Sequence, residues 1–229
     1  MFAIIPLGKK GSSGIPLITI FISVACALVF AFAHDDKAQL ALAYYPRSYD
    51  VATMFTSVFT HADIWHLVGN LFFFYGFART VETQISVKGY LFAFVLFVLV
   101  TNLAYGFAMH EDIPTIGLSG IVWGYMGIFL FRYPKDYIDC FVWYVVVFKI
   151  IEVPALVFIL AFLALNVGAY RNLDDSAVNY VAHFSGFAAG ALFRLMFWHV
   201  FTTEKPEPKR RPATKLGQLR ASQARALRR

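Results

Sequence analysis

A serine between glycines is the first residue whose surroundings suit nucleophilic chemistry. Ser119 lies in residues 117–120, of sequence GLSG, where an apolar run begins. Glycine lets a substrate backbone approach closely, and the free amides of a helix N-terminus can stabilise a developing negative charge. Gly124 and Gly127 continue the small-residue pattern, so a plain helix-packing face is the alternative interpretation.

A histidine near the start of the last apolar run is the matching candidate for a general base. His183 lies in residues 182–186, of sequence AHFSG, and Gly186 and Gly190 form a GxxxG pattern that allows close contact with a neighbouring helix. A histidine activates a serine from hydrogen-bond reach, about 2.6–3.2 Å between heavy atoms. Taken alone, a histidine here is more often one that simply hydrogen-bonds to a backbone carbonyl.

Two histidines and an asparagine form a third cluster. His66 and Asn70 are four residues apart and share one helix face, and His61 lies upstream. Imidazole and amide side chains can donate hydrogen bonds to a developing oxyanion. A metal site is the alternative, but the spacing of His61 and His66 predicts different helix faces, and no carboxylate completes a ligand set. The two cysteines, Cys26 and Cys140, add no ligand cluster, so neither a metal nor another cofactor is expected.

The composition indicates that lipid surrounds the elements that hold these residues. The 229 residues are 59% hydrophobic and 15% charged, and a soluble domain of this length cannot bury so much apolar surface. About 20 mostly apolar residues span a membrane. The sequence therefore predicts an all-α polytopic membrane protein with six spans, at residues 15–33, 64–81, 89–109, 116–131, 151–170 and 178–201. Residues 137–148 are too short to span and are expected to form an interfacial or re-entrant segment.

The distribution of basic residues predicts orientation and domain limits. With six spans, one side of the membrane carries most of the Lys and Arg, whereas the other carries only Lys37, Arg47 and Arg171. The positive-inside rule then places both termini in the cytoplasm of a cell-membrane protein. We expect a cytoplasmic segment at residues 1–14, a membrane domain at 15–201 and a disordered basic tail at 202–229 that contacts anionic lipid and not nucleic acid. A cleaved secretory signal ending at residues 31–33 is the alternative for the first span.

The six-span topology brings the three clusters to one depth. Spans two, four and six all begin outside, and Ser119, His183, His66 and Asn70 lie near those outer ends. Four polar side chains at one depth could form a single site, and polar residues within apolar spans are functional candidates by default.

The sequence predicts a catalytic dyad and not a triad. Asp174 and Asp175 precede His183 in a loop, where they are expected to be solvated, and no other carboxylate is near it. Trp123 follows Ser119 by one helical turn, on the same face. Its ring could stack on the imidazole of His183 and hold its orientation.

The three motifs, in this order, resemble the signature of the rhomboid family of intramembrane serine proteases. HxxxN, GxSG and AHxxG fall on spans two, four and six, and the resemblance covers about residues 15–201. It implies that Ser119 is the nucleophile, that His183 is the general base, and that His66, Asn70 and the Ser119 amide form the oxyanion hole. Other matched positions are implied to have supporting or helix-packing roles: His61, Gly76, Glu82, Gly117, Gly120, Gly127, Gly186 and Gly190.

The resemblance has two departures. A Trp-Arg pair often found in the family's first loop is absent, with residues 48–50, of sequence SYD, near its place, and the position of Trp123 is often Tyr. Neither departure touches Ser119 or His183. The implied activity is hydrolysis of peptide bonds in or beside transmembrane helices of membrane-protein substrates. The alternatives are a non-proteolytic rhomboid-like protein that binds membrane clients and, less favoured because no inverted repeat is apparent, a small transporter.

Overall fold

The computed structural model describes residues 2–9, 14–33, 35–144, 147–172 and 178–203, and most of this part of the chain is helical. In chain order the helices are α1 (Leu17–Phe32), α2 (Asp36–Leu42), α3 (Val51–Thr56), α4 (Ile64–Glu82), α5 (Val87–Ala108), α6 (Ser119–Arg132), α7 (Ala155–Asn172), α8 (Tyr180–Met196) and α9 (Trp198–Phe201). The predicted basic tail from residue 204 onwards lies outside the described residues, as do Asp174 and Asp175.

Each predicted span overlaps one of the longer helices, namely α1, α4, α5, α6, α7 and α8. Judged by length and apolar composition alone, only α5 among the described residues is long and apolar enough to cross a membrane. Helix α1 and the Ala155–Gly168 part of α7 are apolar but shorter. The count of six spans therefore stays a prediction.

A three-stranded antiparallel sheet accompanies the helices and was not part of the all-α prediction. Its strands are β1 (Phe2–Lys9), β2 (Tyr137–Tyr144) and β3 (Val147–Pro154), in the order β1-β2-β3. Residues 137–144 and 147–148 of the predicted interfacial or re-entrant segment form β2 and the start of β3, which pair antiparallel. Their position relative to a membrane stays a prediction. The predicted fifth span also began too early, since residues 151–154 complete β3 before α7 starts.

Two features explain the β2–β3 pair, namely the alternation of buried and exposed side chains along β2 and the pairing of β2 with β1. Ile138 and Cys140 are fully buried whereas Tyr137 is exposed, which is the period of two that a half-buried strand requires. The third strand of the sheet is β1, near the N-terminus, which pairs with β2 so that Ile5 lies opposite Phe141. Part of the predicted N-terminal segment is therefore built into the fold.

Strand β1 is held against the C-terminal half of α4 by two glycines. Gly8 has a φ of +99°, a region that favours glycine, and a Cβ there would lie 2.6 Å from the carbonyl oxygen of Gly76. Gly76 in turn packs against the backbone of Pro6. The backbone amide of Lys9 also donates to the Thr80 hydroxyl of α4 at 3.3 Å. The Lys9 side chain forms an ion pair at 2.9 Å with Asp136, which lies between α6 and β2.

The C-terminal end of α4 also fixes the start of α1. The carboxylate of Glu82 accepts hydrogen bonds from the amides of Ile18 and Thr19, both at 2.8 Å, and from the Thr19 hydroxyl at 2.6 Å. The N-terminus of α1 lacks a side-chain cap of its own, so Glu82 satisfies amides that would otherwise have no partner within the helix. Helix α4 thereby ties both N-terminal elements to the bundle, and its opposite end carries His66 and Asn70.

Candidate active site

Glycines bring α6 and α8 into backbone contact. A Cβ at Gly186 would overlap the carbonyl oxygen of Gly120, and a Cβ at Gly190 would overlap that of Gly124. Gly127 of α6 is packed in the same way against the backbone of α8. Because no side chain separates the two helices, groups at their N-terminal ends can come within hydrogen-bond distance of each other.

Ser119 and His183 meet at these N-terminal ends. Ser119 is the first residue of α6, and His183 is the fourth residue of α8. The Ser119 hydroxyl oxygen and Nε2 of His183 are 2.9 Å apart, within the reach that a general base needs. His183 is only 8% exposed, so little bulk water competes for this hydrogen bond.

Asn179 joins the start of α8 to the loop before α6. Its side-chain oxygen accepts a hydrogen bond from the Ala182 amide at 2.9 Å and so caps α8. Its amide nitrogen donates to the Thr115 hydroxyl at 3.0 Å. The two helix ends that carry Ser119 and His183 are thus also linked outside the helices.

The indole of Trp123 lies against the imidazole of His183. The two ring centroids are 5.5 Å apart and the ring planes differ by 26°, which is a stacked arrangement. On its other side Trp123 stacks on Phe162 of α7, with centroids 5.4 Å apart. Aromatic packing therefore restrains the plane of the His183 ring from α6 and α7 together.

Asn166 of α7 is a site residue that the sequence analysis missed. Its side-chain oxygen lies 2.9 Å from Nδ1 of His183, the nitrogen that faces away from Ser119. The groups that the sequence analysis weighs for orienting His183 are carboxylates and the Trp123 ring, and they include no side-chain amide. The available signal was a polar side chain within the apolar run of the fifth predicted span, which by itself marks a functional candidate.

His66 and Asn70 face the loop that precedes Ser119. A Cβ at Gly117 would lie 2.8 Å from Nε2 of His66 and 4.0 Å from Nδ2 of Asn70, and the φ of +114° at Gly117 favours glycine in any case. The Ala62 amide donates to Nδ1 of His66 at 3.4 Å, which leaves the proton of a neutral ring on Nε2. The His66 ring thus directs an N–H donor toward the backbone next to Ser119.

His61 lies beside His66, and the prediction that the two occupy different faces of one helix was wrong. Helix α4 begins at Ile64, so His61 is in the preceding loop, and its ring meets that of His66 edge-on with centroids 5.1 Å apart. Burial lowers the pKa of His61 to about 4, which keeps its ring neutral near pH 7. Among the described residues no three His, Cys, Asp or Glu side chains are grouped to hold a metal ion.

A small polar cavity adjoins the nucleophile. It has a volume of about 20 Å³, and its lining includes Ser57, Asn102, Thr115, Ser119 and Asn179. A polar space of this size can hold one water molecule. Hydrolysis needs such a molecule close to the serine.

Comparisons with known proteins relate this site to a family. The model of the rhomboid domain matches residues 48–200, which include α4 to α8. Rhomboid protease GlpG from Enterobacter sp. (strain 638) is 30% identical over 126 residues, covering 52% of this chain and 44% of that protein. The aligned region thus spans less than half of that relative's length. Because the domain match covers most of the chain and every helix of the site, this protein belongs to the rhomboid family of integral membrane proteins.

Proposed function

We propose that this protein is a serine endopeptidase that hydrolyses peptide bonds in or beside the transmembrane helices of membrane-protein substrates. The observation that carries the proposal is the 2.9 Å hydrogen bond between the Ser119 hydroxyl and Nε2 of His183, in a chain of the rhomboid family. The Enterobacter relative is itself named a protease.

In the proposed mechanism, Ser119 attacks the scissile carbonyl while His183 removes the hydroxyl proton. His183 then returns the proton to the leaving amine, and an acyl-enzyme ester on Ser119 remains. A water molecule, deprotonated by the same imidazole, attacks the ester carbonyl. The bond to the Ser119 oxygen then breaks, the new carboxyl group leaves, and His183 returns the proton to that oxygen. Water could approach through the polar cavity that Ser119 lines.

Groups around Gly117 are proposed to stabilise the oxyanion. The N–H of His66 Nε2 points toward this loop, and the side-chain amide of Asn70 lies next to it. The backbone amide of Ser119, at the first position of α6, is the third proposed donor. Loss of one such donor typically costs about 10²–10³ in kcat.

We further infer the membrane arrangement and the partners. Six spans with both termini in the cytoplasm of the cell membrane agree with the charge distribution. The substrates are then membrane proteins, and substrates with helix-weakening residues are favoured because a regular helix hides its carbonyls in hydrogen bonds. The basic tail is proposed to contact anionic lipid.

The test is cleavage of a model transmembrane substrate by the purified protein in liposomes, with Ser119→Ala and His183→Ala in parallel. Ser185→Ala is the matched control, because its hydroxyl is also on α8 but bonds to the Ala182 carbonyl at 3.3 Å. We expect cleavage by the wild type and by the control, and none by the other two variants. A fluorophosphonate should label the wild type at Ser119.

The outcomes separate the proposal from its rival. Cleavage that persists in Ser119→Ala would exclude the mechanism. A folded wild type that neither cleaves nor reacts with fluorophosphonate would favour a non-proteolytic protein that binds membrane clients. Labelling without cleavage would uphold the nucleophile and show that the chosen substrate is unsuitable.

A further inference from the structure

We propose that Asn166 is a positioning residue that fixes the tautomer and the orientation of His183. The inference rests on the proposed function, because it concerns how the general base of that reaction is prepared. It adds a residue from α7 to a site whose reacting groups come from α6 and α8.

The orientation of the Asn166 amide is set by its own helix. Its nitrogen Nδ2 lies 3.1 Å from the Phe162 carbonyl oxygen, one turn earlier in α7. A carbonyl oxygen only accepts hydrogen bonds, so the NH₂ group must face Phe162 and Oδ1 must face the other way. That oxygen lies 2.9 Å from Nδ1 of His183.

The same logic then assigns the proton on His183. Because Oδ1 of Asn166 only accepts, Nδ1 of His183 must carry the hydrogen. In the neutral ring Nε2 is then the unprotonated nitrogen, and it lies 2.9 Å from the Ser119 hydroxyl. This is the tautomer that can accept the serine proton, so a chain of hydrogen bonds from Phe162 to Ser119 prepares the base.

Asn166 fixes the tautomer of His183 without adding a charge to the site. Within the part of the chain that the structure describes, His66 from α4 interacts electrostatically with His183, and the Tyr180 ring of α8 meets the His183 ring edge-on with centroids 6.1 Å apart. A carboxylate at position 166 would also accept from Nδ1 but would favour the imidazolium form. Asn166→Asp should therefore shift the pH–rate profile, whereas an apolar isostere should remove the effect on the tautomer.

The experiment compares Asn166→Leu, Asn166→Asp and the control Leu165→Ala. Leu and Asp resemble Asn in size, and Leu165 is the neighbouring residue of α7 with its side chain 69% exposed. The measurements are kcat and KM for a model transmembrane substrate, the fluorophosphonate labelling rate, the pH–rate profile, and the ¹⁵N shifts of the histidine rings. The His183 signals are assigned with His183→Gln.

We expect kcat of Asn166→Leu to fall about 10-fold with little change in KM, the size of effect that loss of one hydrogen bond typically carries. Its labelling rate should fall by the same factor, and the His183 ¹⁵N shifts should show a mixture of tautomers. Asn166→Asp should retain more activity than Asn166→Leu, with the apparent pKa of the base moved upward. Leu165→Ala should match the wild type.

The proposal is overturned if folded Asn166→Leu keeps the wild-type kcat, or if His183 retains a single Nδ1–H tautomer in that variant. A loss of activity in Asn166→Leu that appears only in KM would also contradict it. If the wild type neither cleaves nor labels, the proposed function has failed, but the ¹⁵N shifts still decide whether Asn166 sets the tautomer. Should Asn166→Leu fail to fold, Asn166→Asp decides: a shifted pH–rate profile supports the proposal, and a wild-type profile overturns it.

Discussion

The backbone contact between α6 and α8 at Gly186 predicts that one methyl group there will separate Ser119 from His183. A Cβ there would overlap the Gly120 carbonyl oxygen, and it would lie 3.1 Å from the carbonyl carbon and 3.2 Å from Thr101 Cγ2. Two of these contacts are with backbone, which cannot rotate away as a side-chain tip can. In Gly186→Ala the two helices must therefore move apart.

The size of the movement follows from contact distances. Carbon atoms pack at about 3.5–4.0 Å, so relieving the 3.1 Å contact alone requires a shift of about 0.5–1 Å. The Ser119–His183 hydrogen bond is 2.9 Å long, and the same shift would carry it beyond the range of a good hydrogen bond. A misplacement of about 1 Å commonly costs about 10²-fold in rate.

The assay measures kcat on a model transmembrane substrate for wild type, Gly186→Ala and Gly69→Ala. A Cβ at Gly69 on α4 has no heavy atom within 4 Å, so the same chemical change there meets open space. We expect about a 10²-fold loss in Gly186→Ala and little change in Gly69→Ala, with both variants folded by circular dichroism. Near-wild-type activity in folded Gly186→Ala would refute the claim that glycine contact sets the Ser119–His183 distance.

Substitutions at two further positions test the supports of the site. Glu82→Ala should lower the unfolding temperature in detergent, because a charge-assisted hydrogen bond contributes about 1.5–3 kcal/mol and Glu82 accepts such bonds from α1. It should leave kcat at low temperature within about twofold of the wild type, because Glu82 is at the other end of α4 from His66. An unchanged unfolding temperature would contradict this. Trp123→Leu should lower kcat about 2–10-fold, the equivalent of the 0.5–1.5 kcal/mol typical of an aromatic pair, whereas Trp123→Tyr keeps a ring against His183 and should lose less. Equal kcat values for these two variants would show that stacking does not position the imidazole.

Much of the helical framework could be predicted because its signals are local. Each long apolar run in the sequence became a helix, and the depth argument placed the ends of two such runs together. In the structure those ends hold Ser119 and His183 within 2.9 Å of each other. The catalytic roles of the two residues stay predictions until activity is measured.

The parts that escaped prediction depend on contacts between distant segments or on the contact of a single polar side chain. The sheet needs β1 to pair with β2, more than a hundred residues later, and neither strand is distinctive alone. Helical spacing was applied to His61 and His66, but α4 begins at Ile64 and His61 lies in the loop before it. Asn166 was not predicted as a partner of His183, because the prediction included carboxylates and the Trp123 ring but no side-chain amide.

A neutral partner for His183 is consistent with the surroundings of the site. An ionised carboxylate within a membrane domain would itself be costly to bury, and it would hold the proton on His183 more tightly. The proposed reaction needs a base that does not hold its proton too tightly, since His183 must take a proton from Ser119 and then give it to the leaving amine. The Asn166 amide can fix the tautomer through one hydrogen bond, and its own orientation is already set by the Phe162 carbonyl. Helix α7 therefore prepares the base through Asn166, and it supports the plane of the His183 ring through the stack of Phe162 on Trp123.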